Sequence, residues 1–235
     1  MTSPPFMEHI VPGDDELLER LYSTHHRREQ SGGKRLKQAF LERERARLFG
    51  EWIGQGKELL DLGCRDGTLT RHFLAGNRVV GADIDAAALE CARQEYGIEV
   101  RKVNLNTALP FYDERFDVVL LAETLEHLPY PRITLSEIRR VLKPDGVFMG
   151  NVPLFYHLHN RWRVLRGKRL DSDPTHCQYY SLDSLKELLQ EFFAIEAIVP
   201  LKGRLARYSL RLFARNVAFR CQKNSKIGSQ IADLG

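Results

Sequence analysis

Short apolar runs alternate along this chain with stretches whose apolar positions recur every third or fourth residue, so strand and helix signals take turns. The runs at 58–62, 78–83, 99–105, 116–122 and 147–152 read as strands, and the run at 116–122 is apolar enough for the centre of a sheet. Between the second and third, Asp85 is placed to cap a helix over 86–96, Leu89, Ala92 and Tyr96 form its apolar stripe, and Gly97 marks its end. Pro131 opens another helix carrying Leu135, Ile138, Val141 and Leu142, and Lys143-Pro144-Asp145-Gly146 reads as a turn into the fifth strand. This alternation over short connections predicts an α/β domain with a mostly parallel, doubly wound sheet covered on both faces.

The edges of the pattern are less regular. Residues 1–13 read as a flexible lead, 14–22 as a short helix, and 34–53 as a longer one with Leu36, Phe40, Leu48 and Trp52 on one side. Its charged run, Glu42-Arg43-Glu44-Arg45, reads as a solvated face, the alternative being a lid over a ligand pocket. Residues 154–180, rich in aromatics, histidines and arginines, read as an insertion over the ligand face. Ser181 then caps a helix bearing Leu182, Leu185, Leu188, Leu189 and Phe192, strand 194–199 follows, and a last strand over 216–222 adds antiparallel at the sheet edge. The chain thus divides into an N-terminal helical segment (1–54), the α/β domain with its insertion (55–223) and a flexible tail (224–235).

Composition narrows the class. With 235 residues, 43% hydrophobic and 28% charged, the chain can bury one sizeable core, which argues against disordered and collagen-like classes. It has no apolar run of bilayer-spanning length and no signal-peptide pattern in Met1-Thr2-Ser3-Pro4-Pro5-Phe6, so a cytoplasmic location is expected. Cys64, Cys91, Cys177 and Cys221 lie far apart and show no metal-ligand spacing, so no disulfide and no metal is expected. The net charge is only +4, yet residues 161–226 hold fourteen Lys or Arg against six Asp or Glu, which leaves room for an acidic partner. Within them Arg204, Arg207, Arg211 and Arg215 recur at helical spacing beside Leu205, Tyr208 and Leu212. That pattern reads either as a basic amphipathic helix on an anionic membrane, or on a phosphorylated or lipid-linked substrate, or as a packed helix with its arginines in water. No nucleic-acid partner is expected.

Candidate chemistry gathers at strand ends. Glu58-Leu59-Leu60-Asp61-Leu62-Gly63-Cys64-Arg65-Asp66-Gly67 is a strand running into a glycine-bearing turn, where a nucleotide-like ligand can approach the backbone closely. Gly63, Asp83, Asn104 and Ala122 all fall at the carboxyl ends of strands, the side on which parallel sheets bind ligands. These segments, with Leu109-Pro110-Phe111, Glu123-Thr124-Leu125-Glu126-His127-Leu128 and the Glu137 to Gly146 stretch, resemble the class I S-adenosylmethionine-dependent methyltransferases, especially the branch acting on small molecules. The resemblance is strong over 57–152 and weaker to about 223. It implies the Rossmann-like methyltransferase fold, a mostly parallel seven-stranded sheet with an antiparallel last strand.

The resemblance also implies S-adenosylmethionine as cofactor and roles for individual residues. Gly63, Cys64, Arg65 and Gly67 would face its methionine part, with Asp61 at the base of the loop. Asp83 would accept hydrogen bonds from the two ribose hydroxyls, Ile84 would pack on adenine, Asn104 and Leu105 would read the adenine edge, and Ala122 with Glu123 would close the pocket. Two residues depart from the pattern: Arg65 stands where the family usually has glycine, and Asn104 where it has an acid. Arg65 strains the loop if its φ is positive.

Methyl transfer from a sulfonium needs in-line approach of a nucleophile, with a base only if that nucleophile must lose a proton. His127 is the first candidate base and His176 the second, and each has capping or packing as its plainer reading. The function expected is methyl transfer to an oxygen or nitrogen of a small, acidic or lipid-linked metabolite. A non-catalytic cofactor-binding module of the same fold stands as the alternative, and a nicotinamide oxidoreductase is disfavoured by the incomplete Gly-x-Gly-x-x-Gly fingerprint.

Overall fold

The computed structural model describes residues 14–28, 37, 39–170, 173, 175–203 and 205–223. The expected lead (1–13) and tail (224–235), Leu36 and Arg204 lie outside them. In chain order the elements are α1 (Asp15–Arg28), α2 (Glu42–Ile53), β1 (Glu58–Leu62), β2 (Arg78–Asp83), α3 (Ala86–Tyr96), β3 (Glu99–Lys102), β4 (Phe116–Ala122), α4 (Pro131–Val141), β5 (Leu142–Pro153), α5 (Leu158–Leu165), α6 (Leu182–Gln190), β6 (Phe193–Lys202), α7 (Leu210–Phe213) and β7 (Asn216–Lys223). The seven strands form one sheet in the order β3-β2-β1-β4-β5-β7-β6. The pairs among β1 to β5 are all parallel, while β7 runs antiparallel to both its neighbours. The last strand is therefore antiparallel as the pattern implies, but it is inserted between β5 and β6, and β6 forms the edge.

Side-chain alternation sorts the core into two layers. Leu60, Leu62, Val119 and Leu121 face α4 and α6, which contribute Leu135, Ile138, Val141, Leu185 and Leu189. Leu59, Val118, Leu120 and Met149 face the other way, against Phe49 and Ile53 of α2 and Phe73 of a 3-10 turn (Thr70–Phe73). Between β1 and β2 the chain makes only that short turn, and α2 covers the strand. The predicted caps are present: Asp85 accepts from the N–H groups of Ala87 and Ala88, Gly97 closes α3 in the left-handed region, and Ser181 and Ser184 form a capping box at α6.

Several boundaries differ for identifiable reasons. α1 runs on to Arg28, beyond the nine-residue reading, and α2 begins only at Glu42. Phe40 thus lies outside α2, whose buried face is Arg45, Phe49 and Ile53, rotated from the expected Leu48–Trp52 side. β3 ends at Lys102 because Asn104 and its neighbours form a turn closed by the Asn104 side chain. The expected turn at 143–146 is a wide bulge within β5, since Leu142 pairs with Phe116 and the ladder resumes only at Val147 opposite Val118.

The 203–215 segment is not a basic helix. A turn over 205–208 and the four-residue α7 fill it, because the chain must reverse between β6 and β7 for them to pair antiparallel. Arg207 stacks on Tyr208, Arg211 pairs with Asp183 at 2.7 Å, and the backbone N–H of Arg215 bonds to the carbonyl of Lys202.

Phe148, Phe193 and Phe219 meet where β5, β6 and β7 converge, with ring centroids 4.9 and 5.2 Å from Phe148, and all three are fully buried. Phe148→Ala is expected to cost about 3–5 kcal/mol in urea denaturation with an unchanged m-value.

Candidate functional site

The carboxyl ends of β1, β2 and β4 converge on a loop that the sequence shapes with glycine. After β1 the backbone turns left-handed at Gly63 and Gly67. A Cβ on Gly63 would overlap the Thr124 side chain beyond β4, and one on Gly67 would overlap Ile98, so both positions need glycine for space as well as for φ. Arg65 between them also has positive φ, at 51°. The strain foreseen for it is real, of order 1 kcal/mol, and is offset by the bond from its N–H to Asp83 Oδ2 at 2.9 Å. Its guanidinium meets Asp66 at 3.3 Å, and Asp66 in turn accepts from the backbone N–H of Lys37 and Thr68. Cys64 is buried, close to Gly81.

Asp83, at the end of β2, accepts from Arg65 N–H through one oxygen and from Asp85 N–H through the other, both at 2.9 Å. This fixes the plane of a nearly buried carboxylate at the mouth of the loop, with Ile84 half-buried beside it. Asp61, one strand over, is buried and accepts from the Thr70 hydroxyl at 2.7 Å. Burial pushes its pKa up to about 7, against the pull of that hydrogen bond and of the Arg45 charge.

Asn104 is more occupied than its expected role requires. Its carbonyl accepts from Asn106 N–H at 2.9 Å and its amide donates to Asp15 on α1 at 2.7 Å. Leu105 turns its side chain into the core. Beyond β4, Glu123 has a φ of 54° and takes the amides of Asn151 at 2.5 Å and Asn216 at 2.6 Å, while Asn151 accepts from Arg45 at 3.3 Å. Arg45 is therefore buried, which corrects the solvated-face reading at that position; Arg43 and Glu44 are exposed. Burial lowers the Arg45 pKa, opposed by Glu123 and then by Asp61.

The cover over these strand ends is α1. Asp15 bonds Asn104, Glu19 reaches Lys102 at 2.6 Å and Ala86 N–H at 3.4 Å, and the Tyr22 hydroxyl donates to the carbonyl of His127 at 2.9 Å. His25 stands 3.6 Å from Asp173. Thr124, which packs over Gly63, stands three residues before His127, so the strand-end loop and the histidine region border one another.

That second region brings His127 and His176 together, with ring centroids 4.6 Å apart. His127 Nδ1 is held between the carbonyl of Thr175 at 3.2 Å and its hydroxyl at 3.0 Å. The carbonyl fixes Nδ1 as the protonated nitrogen and leaves Nε2 with its lone pair. Burial, with His176 next to it, pushes His127 down to about 3, so its ring is neutral at physiological pH. Glu126 is fully buried, and burial together with the Glu123 charge raises its carboxyl well above the usual range.

Sequence reasoning missed Tyr22, Arg45, Asn151, Thr175 and Asn216. Asn151 and Asn216 carried a signal, being amides next to the apolar runs Val147–Met149 and Val217–Phe219. Tyr22, Arg45 and Thr175 carried none, since long-range packing alone puts them here.

The described residues contain no helix long and apolar enough to cross a membrane. A family described as a methyltransferase domain matches residues 27–192. A probable S-adenosylmethionine-dependent methyltransferase of Mycolicibacterium smegmatis is 33% identical over 138 residues, covering 57% of this chain and 51% of that protein. A ubiquinone biosynthesis O-methyltransferase of Actinobacillus pleuropneumoniae is 34% identical over 116 residues, 45% of this chain and 47% of its own length. The chain thus spans about half the length of these curated relatives. Among solved structures, a methyltransferase of Bacillus halodurans shares the fold with a TM-score of 0.61 at 17% identity, over 77% of this chain and 99% of that one.

Asp61 yields a pH test. Its folded pKa of about 7 lies above the ordinary 3.8, so the folded state holds the extra proton and stability falls as pH rises from about 4 to 7. Asp61→Asn keeps an acceptor for Thr70 and removes that titration. Relative to wild type, its thermal stability is expected to rise across this window and level off above it, by a few kcal/mol in total; parallel pH profiles would show Asp61 to be ionised throughout.

Proposed function

We propose that this chain, which belongs to the methyltransferase-domain family, transfers the methyl group of S-adenosylmethionine to a hydroxyl oxygen or a nitrogen of a small metabolite. The observation that carries the reading is the meeting of a glycine-shaped loop after β1 with the fixed Asp83 carboxylate at the end of β2. A dinucleotide oxidoreductase would use a similar acid, but the family match and the incomplete glycine fingerprint point to the methyl donor. The residues fit the donor chemically. The backbone of Gly63, Cys64, Arg65 and Gly67 would lie against its methionine part, over Asp61, and Asp83 would accept from both ribose hydroxyls. Ile84 would cover adenine. With its amide donating to Asp15 and its carbonyl accepting from Asn106, Asn104 would set the backbone of Leu105 at the adenine edge. Ala122 and Glu123 would close the far side, Glu123 being locked by Asn151 and Asn216. The transferase domain would occupy 55–223, with the N-terminal segment supplying α1 as its cover.

When bound, S-adenosylmethionine supplies a methyl carbon activated by its positive sulfur. What the chain must add is orientation and exclusion of water, and α1 laid across the strand ends suits both. His127 is a weak general base, since a group held near pKa 3 has little affinity for a proton at neutral pH. Oxygen is favoured as the acceptor atom by the O-methyltransferase relatives.

An anionic membrane surface suits the outer side of the 154–180 insertion. Leu158, Trp162 and Leu165 of α5 are exposed, as is Leu212 of α7, which packs against α5, and Arg166 stacks on Trp162 at 4.6 Å. Aromatic and aliphatic side chains interleaved with arginines match a headgroup boundary, which would bring a lipid-linked acceptor to the site.

Calorimetry is expected to show binding of S-adenosylmethionine and no binding of NAD, with at least tenfold weaker binding by Asp83→Asn, whose one acceptor oxygen can serve only one of the Arg65 and Asp85 N–H groups. No methyl-donor binding by the wild type would remove the reading, and binding without turnover on metabolite extracts would favour the non-catalytic module. Sedimentation with phosphatidylglycerol vesicles at low salt is expected to capture the wild type and to lose most of the bound fraction with Leu165→Glu. Equal sedimentation of the two would rule out this face.

A further inference from the structure

We propose that Glu126, His127 and His176 form a binding site for a divalent transition-metal cation of the Zn2+ class, placed to take the acceptor's oxygen. One ligand atom from each, a carboxylate oxygen and two ring nitrogens, lies within 4.8 Å of the others. In a tetrahedral shell, ligands about 2.0–2.2 Å from a shared ion stand about 3.3–3.6 Å apart, so closing the set takes side-chain shifts of about 1 Å at most. One carboxylate and two imidazoles form a donor set that leaves positions open for a further ligand and suits Zn2+ better than Mg2+ or Ca2+, which prefer all-oxygen shells.

The second observation is independent of that spacing. The Glu126 side chain is completely buried, and neither of its oxygens has a hydrogen-bond partner. Protonation does not resolve this, because a neutral carboxyl would still bury a donor and an acceptor without partners. A cation between Glu126 and the two imidazoles satisfies the carboxylate directly. The surroundings are those of a ligating histidine: His127 Nδ1 bonds the Thr175 carbonyl, which leaves Nε2 as the ligand and fixes the ring plane. Thr175 is itself oriented by Asp173, which accepts from its hydroxyl at 2.7 Å and its N–H at 2.9 Å. Asp173 adds negative potential that favours a cation here. The backbone carbonyl of Glu126 accepts from the N–H groups of Cys177 and Gln178, so the segment carrying His176 is tied down at the same residue.

The site lies just beyond β4, two residues past Thr124, whose side chain packs over Gly63, and so borders the place proposed for the methyl donor. Its use rests on the transferase reading above. An acceptor hydroxyl coordinated there has a lowered pKa and gives up its proton to solvent. Its oxygen lone pair then attacks the methyl carbon while the carbon–sulfur bond electrons return to sulfur, leaving S-adenosylhomocysteine and the methyl ether. The expectation of no metal came from the cysteines alone, and none of these ligands is a cysteine.

The test is calorimetric titration of the untagged, chelator-stripped chain with Zn2+ in the presence of millimolar Mg2+. One equivalent is expected to bind, and Glu126→Gln and His176→Ala are each expected to weaken binding at least tenfold. Co2+ in place of Zn2+ is expected to give visible d–d absorption that is lost in both variants. Circular dichroism and S-adenosylmethionine binding by the same variants report that the fold is retained. Absence of stoichiometric binding, or binding that both folded variants retain, overturns the site. Zn2+ binding by a chain that binds no methyl donor would keep the metal site and defeat the transferase reading, so the two fail separately.

Discussion

The Asp83 carboxylate is the constraint on which the strand-end architecture depends. By accepting from Arg65 N–H and Asp85 N–H at once, it joins the end of β2 to the loop after β1 and to the start of α3. A carboxylate so held offers its remaining lone pairs in a fixed plane, which a freely rotating acid could not do. It also makes Arg65 tolerable, since a left-handed non-glycine residue persists only where its surroundings hold it.

A second constraint acts across the sheet. Arg45, Asn151, Glu123 and Asn216 form a chain of hydrogen bonds running from α2 through β5 to β7. Buried polar groups of this kind are costly singly and are tolerated because each satisfies the next. The inserted β7 is what brings Asn216 into reach, so the position of the antiparallel strand bears on the site as well as on the edge of the sheet. Glu126 lies outside this chain of bonds and is left without a partner of its own.

Much of the frame was legible in the chain itself. β2, α3 and β4 fall where the pattern of apolar residues, caps and glycines puts them, because local signals agree with their tertiary use. Gly63 and Asp83 were legible for the same reason, as strand-end residues on the ligand side of a parallel sheet. The rotation of α2, the burial of Arg45 and the insertion of β7 were not, because each is decided by contacts between segments distant in sequence. The 203–215 arginines show the converse: helical spacing is present, yet the demand for a reversal between β6 and β7 overrides it. His127 read as unpartnered because Thr175 lies 48 residues away in the chain.

The docking of α1 has a consequence for how the molecule exchanges what it holds. Most of the ties identified between this helix and the sheet end are side-chain bonds, and Leu18 is its one large apolar residue that is fully buried. Polar ties of this sort exchange readily with water, whereas the seven strands are knitted by backbone ladders and two apolar layers. The helix is therefore held less tightly than the strands whose ends it covers. Undocking that one helix uncovers the sheet end without disturbing a strand, so the surface below stays preformed.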